Sequence, residues 1–183
     1  MPKPESAPAP DPAADRLWNG ILDVFRSHGW HHETVPGMAV VESGFEAHHG
    51  RVFLHVQAYA PLRAVSVVSL SPARIGVPAV RAKAAELLLR ANERLNLGAF
   101  EMRWDAGEVL FRIGNVFPGG QVDAGVLTWM VETAVVEMDR LLPALGVLSR
   151  ADAGDVGPLD MEAWLEREDW IPDVSGPGAD GEK

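Results

Sequence analysis

The chain has 183 residues, 47% hydrophobic and 23% charged, which suits one globular domain with a substantial core and is too short for two. It has no cysteine, which excludes disulfides, thiolate metal sites and a cysteine nucleophile, and no apolar run approaches the roughly 18 residues that a membrane span needs. The net charge of -10 is uneven: residues 1–15 hold one base and three acids, residues 16–150 hold 13 of each, and residues 151–183 hold two bases against ten acids. A neutral body with an anionic tail lacks the positive field that phosphate binding requires, so neither nucleic acid nor a membrane is expected as a partner. The N-terminus lacks the basic and apolar regions of a signal peptide, which predicts a cytoplasmic protein.

Pro2, Pro4, Pro8, Pro10 and Pro12 predict that residues 1–15 form a disordered Pro/Ala-rich leader. Asp15 then reads as an N-cap. Leu17, Trp18, Ile21, Leu22 and Phe25 recur at helical spacing up to about His28 and Gly29, with Gly20 a local weakness. Between Gly37 and Pro72 the period changes to two and predicts three strands, near 39–48, 51–59 and 63–70. In the second, Val52, Leu54, Val56 and Ala58 share the better core face, while Phe53, His55, Gln57 and Tyr59 share the other.

Residues 78–95 carry the clearest helix pattern, with Val80, Ala84, Leu87, Leu88, Ala91 and Leu95 in one apolar arc beside a basic stripe of Lys83, Arg90 and Arg94. A hairpin follows. A turn at Ala106-Gly107 would pair Trp104 with Val109, put Phe100, Met102 and Trp104 on the face of Val109, Phe111 and Ile113, and set Glu101 opposite Arg112. Asp123 then caps a helix expected to run to about Leu142, with Leu127, Met130, Val131, Ala134, Val135, Met138, Leu141 and Leu142 as its core stripe. Trp129 and Val136 lie on its opposite side, two turns apart. Residues 147–183 form an acidic tail holding a short amphipathic helix near 159–169, capped by Asp160 and anchored by Met161, Trp164 and Leu165.

The expected class is therefore α+β, an antiparallel sheet with flanking helices in the order α-β-β-β-α-β-β-α. Residues 88–101, Leu-Leu-Arg-Ala-Asn-Glu-Arg-Leu-Asn-Leu-Gly-Ala-Phe-Glu, the hairpin from Trp104 to Arg112, and Asp139-Arg140-Leu141-Leu142-Pro143-Ala144-Leu145 resemble the YbjN family of bacterial proteins. The likeness covers about residues 16–146. It implies a fold like that of type III secretion chaperones, which commonly dimerise and bind extended protein segments, and a role in sensory transduction. It brings no catalytic residues.

Nor do the residues themselves point to catalysis. There is no G-x-S-x-G elbow, no G-x-x-x-x-G-K-[ST] loop and no G-x-G-x-x-G after a strand, so no enzyme activity and no cofactor is expected. All six histidines, His28, His31, His32, His48, His49 and His55, fall in one 28-residue window, which makes a metal or small-ligand sensor the alternative function. Adjacent strand side chains point apart, however, and surface histidines are the commoner explanation. The leading expectation is a protein-binding regulator or chaperone-like module, a candidate homodimer whose partner is a protein or peptide. Its candidate contact residues are Lys83, Arg90, Arg94, Phe53, Tyr59, Trp129 and Val136, with Met161, Trp164 and Leu165 as a docking motif held in cis against the basic stripe.

Overall fold

The structure, a computed structural model, describes residues 12–167. Its centre is a six-stranded antiparallel sheet in the order β1-β2-β3-β4-β6-β5. The strands are β1 (Glu33–Thr34), β2 (Val40–Glu46), β3 (Arg51–Tyr59), β4 (Ala64–Arg74), β5 (Ala99–Arg103) and β6 (Glu108–Val116). The helices are α1 (Pro12–Ser27), α2 (Pro78–Glu93), α3 (Ala124–Arg150) and the five-residue α4 (Met161–Leu165). No helix of the described residues is long and apolar enough to cross a membrane.

The alternation in β3 separates two environments. Val52, Leu54 and Val56 join Val65, Val67, Val109, Phe111 and Ile113 in one core cluster with the inner faces of α1, α2 and α3. Their neighbours Phe53, His55, Gln57 and Tyr59 point to the other side, where no described helix lies. On α2 the buried residues are Val80, Ala84, Leu87, Leu88 and Ala91, with Leu95 packed just beyond the helix end.

Several local expectations are corrected. Helix α1 begins at Pro12, so Asp15 lies inside it and does not cap it; proline suits a first helical position, whose amide has no helical acceptor. Residues 1–11 of the expected leader lie outside the described residues. Gly20, read as a weakness, allows close approach: a Cβ there would sit 2.9 Å from Cβ of Val122. Strand β1, two residues paired with Val41 and Glu42, had no alternation long enough to read.

The β5–β6 hairpin pairs Arg103 with Glu108 and Met102 with Val109, two residues out of the expected register. Its loop is Trp104 to Gly107, closed by the Gly107 N–H donating to the Arg103 carbonyl at 2.8 Å. Only glycine fits its last position, where φ is +62° and a Cβ would lie 2.1 Å from the Ile75 oxygen. A slip of two keeps every side chain on its face. Thus Phe100 stays on its face but opposes Phe111 in place of Ile113, Trp104 is exposed in the loop, and Arg112 reaches Glu101 diagonally at 2.9 Å. Finally, α3 does not stop at Leu142; it runs through Pro143 to Arg150. Pro143 offers no N–H to the Asp139 carbonyl, a loss of about 3 kcal/mol in an isolated helix, yet buried Ala144, Leu145 and Leu148 hold the next turns on the core.

Candidate partner-binding surfaces

Helix α2 holds the basic stripe by local pairing and by contact with α4. Lys83 donates to Glu86 at 2.8 Å, and Arg90 donates to Glu86 at 3.0 Å and to Glu162 at 3.1 Å. Arg94 also reaches Glu162, and it donates to the Leu165 carbonyl at 3.0 Å. Hydrogen bonds from Lys83 and then Arg90 hold the Glu86 carboxyl below its usual pKa, while bonding to Glu86 and then Glu162 raises that of the Arg90 guanidinium. Asp160 caps α4 by accepting from the amides of Glu162 and Ala163. Met161 is 1% exposed in the core cluster, and Trp164 and Leu165 pack against it. Residues 168 and 169 of the expected tail helix, and the acids beyond them, lie outside the described residues.

Helix α3 turns a different face outward. Trp129 is 45% exposed and Val136 is 37% exposed. The helix continues past Pro143, so a third exposed residue, Val147, joins the line; on a 100° wheel the three lie within about 20° of one another. From Trp129 to Val147 the line is about 27 Å long at the helical rise. At its N-terminal end Trp129 borders a groove of about 420 Å³ whose apolar lining includes Leu97, Ile113, Val126 and Met130. A second hollow of about 260 Å³, lined by Arg94, Leu97, Thr133 and Glu137, adjoins it across Trp129. Leu97, in the α2–β5 connection, is 58% exposed and borders both. Helical periodicity could not flag it, because it follows the helix end.

The open sheet face is more polar. Arg51 lies over the Phe53 ring at 5.4 Å, His55 meets Glu42 at 3.3 Å, and the Tyr59 hydroxyl donates to Gln57 at 2.8 Å. Phe53 and Tyr59 thus share this face without forming one apolar patch, and neither lies in the Trp129 groove.

The histidine window disperses. His28 stacks on Trp30, His32 bonds the Trp30 carbonyl, and His55 faces Glu42 on the sheet. Among the described residues no three His, Cys, Asp or Glu side chains gather as a metal-ligand set. His49 instead meets Asp139, which is 1% exposed on α3: the His49 amide donates to Oδ1 at 2.8 Å and its Nδ1 lies 3.2 Å from Oδ2. That pair, ninety residues apart in sequence, joins the β2–β3 connection to α3 and has no local signal that could have revealed it.

Comparison with known proteins agrees with this architecture. Residues 19–146 match the YbjN family, described as "Putative bacterial sensory transduction regulator". No curated protein matches the chain in sequence. One similar solved structure is titled "Crystal structure of YbjN, a putative transcription regulator from E. coli"; it is 9% identical, covers 71% of this chain and 91% of that one, and has a TM-score of 0.52. Another, "Structure of the HopA1-SchA Chaperone-Effector Complex", is 13% identical, covers 78% of this chain and 100% of that one, and has a TM-score of 0.45. With the family match running from within α1 to within α3, across the whole sheet, this chain belongs to the YbjN family.

Proposed function

We propose that this chain is a non-catalytic, protein-binding regulator or chaperone-like module that acts in the cytoplasm, without a cofactor, on a protein or peptide partner. The observation that carries the reading is the outer face of α3, where Trp129 and Leu97 stand exposed beside an apolar groove of about 420 Å³. Removing a large apolar side chain from water contributes roughly 1.5–3 kcal/mol, and an aromatic beside a desolvated pocket is the usual anchor of a protein contact. The matched domain lacks the excess of basic residues that phosphate backbones attract, which supports a protein partner over nucleic acid.

The test is capture from the native cell with wild-type chain and with Trp129→Asp, read by mass spectrometry, after confirming that both have the same circular dichroism and chemical stability. One or more proteins held reproducibly by wild type and lost by the variant are expected. Identical capture by both would remove the α3 groove from the binding function.

A further inference from the structure

We propose that the α2 surface beneath α4 is a seat for an acidic, amphipathic helical segment of a partner protein, with α4 as its occupant in cis. The inference rests on the reading of this chain as a protein-binding module but concerns a different surface. The family match ends at residue 146, so α2 belongs to the matched domain and α4 to an extension that folds back onto it.

Three kinds of contact hold α4, and each is a recognition feature. Met161 fills an apolar site, the Glu162 carboxylate bridges Arg90 and Arg94, and the Arg94 guanidinium also binds the backbone carbonyl of Leu165. A helix of five residues has no stability of its own, so α4 is helical because it is seated. The seat differs. Its guanidiniums come from Arg90, within a sixteen-residue helix fixed to the core by Val80, Ala84, Leu87, Leu88 and Ala91, and from Arg94, the residue that ends that helix. Arg90 keeps Glu86 as a partner whether or not Glu162 is present, whereas the carboxylates and carbonyl that Arg94 meets all belong to residues 162–166. The seat is therefore preformed at Arg90, and Arg94 is released for a new occupant when α4 leaves.

The occupant defines the partner chemistry: a capping Asp, Ser or Thr, then Met or Leu, then Glu, then an aromatic and a Leu three and four places after the first apolar residue. Asp160, Met161, Glu162, Trp164 and Leu165 occupy those places here. Tethering gives α4 an effective concentration of order mM, so a partner segment competes only when it binds more tightly or when α4 is weakened.

The probe is a fluorescein-labelled peptide with the sequence of residues 158–167, titrated by anisotropy into the full chain. Wild type is compared with Glu162→Arg, which sets like charges together, and with Met161→Ser, which removes the anchor by a separate route. Hydrogen exchange of α2 and α4 is measured alongside. Expected are exposure of α4 with α2 still protected, at least tenfold tighter peptide binding than wild type, and loss of that binding when Arg90→Glu and Arg94→Glu are added. Peptide binding no tighter than wild type, insensitivity to the two arginine changes, or α4 protection unchanged in both variants would each overturn the seat. Any of these alongside intact Trp129-dependent capture sinks the seat alone; loss of that dependence sinks the α3 reading instead.

Discussion

The outer faces of α2 and α3 meet water in opposite ways. On α2 the outward residues Lys83, Arg90 and Arg94 each engage a carboxylate, from Glu86 on the same helix or Glu162 on α4. On α3 the outward line is Trp129, Val136 and Val147, and nothing among the described residues covers it. Charge can be matched inside one chain by a few side chains, each pair contributing about 0–1 kcal/mol at the surface. Exposed apolar area is relieved only by contact with another surface. The difference therefore separates a face that a second molecule reaches only by displacing a segment held in cis from one that stands open to it.

The comparison presupposes that both helices are anchored by their inner faces. Leu87→Ala should destabilise by about 2–5 kcal/mol in chemical denaturation, because it empties a fully buried site on α2. Wild-type stability would mean that α2 is held by its salt bridges after all. Asp139→Ala should cost about 1.5–3 kcal/mol through the lost bonds to His49, with Asp139→Asn less damaging because it can still accept from the His49 amide. Equal losses would show that the α3 anchor depends on charge, not on acceptor geometry.

On the outer side the effects on stability are smaller. Trp129→Asp should change it by no more than about 0.5 kcal/mol while reducing self-association in sedimentation, if a second copy covers α3. A well-folded variant that remains dimeric would exclude that face from the dimer. The smallest effect concerns Glu86. Its pKa is lower folded than unfolded, so its contribution is fully present above about pH 4.3 and is lost as pH falls through the lowered value. An NMR titration should find its midpoint below that of an ordinary glutamate, and Lys83→Met should raise it; an unmoved midpoint would detach Glu86 from the stripe.

The elements that could be read from sequence are those whose pattern is local and long. Val52, Leu54 and Val56 alternate over a full strand, and Val80, Ala84, Leu87, Leu88 and Ala91 repeat over about three turns, so both faces were legible. The hairpin was legible as to face but not register, because a four-residue loop and a two-residue turn with a Gly at the same place differ by two positions, and side chains cannot report that slip. The expected end of α3 near Leu142 fell short of Arg150, because the cost of Pro143 is local while its compensation, the burial of Leu145 and Leu148, is tertiary. The same error hid Val147, and with it the length of the exposed line on α3. Leu97 and the His49–Asp139 pair depend on what folding brings together, which no window of sequence contains.

The order of the sheet has a consequence for when the groove exists. Strands β1 to β4 form a meander whose pairings join near neighbours, such as Glu46 with Arg51. The β4–β6 seam joins residues as far apart as Ala64 and Val116, with α2 and β5 between them, so its loop-closure entropy must be overcome before its contacts form. The groove takes its walls from the α2–β5 connection, from β6 and from α3, all of them C-terminal to the meander. A chain that has formed only its meander has no such groove, and a partner that reads it can engage only molecules in which β6 and α3 have also folded.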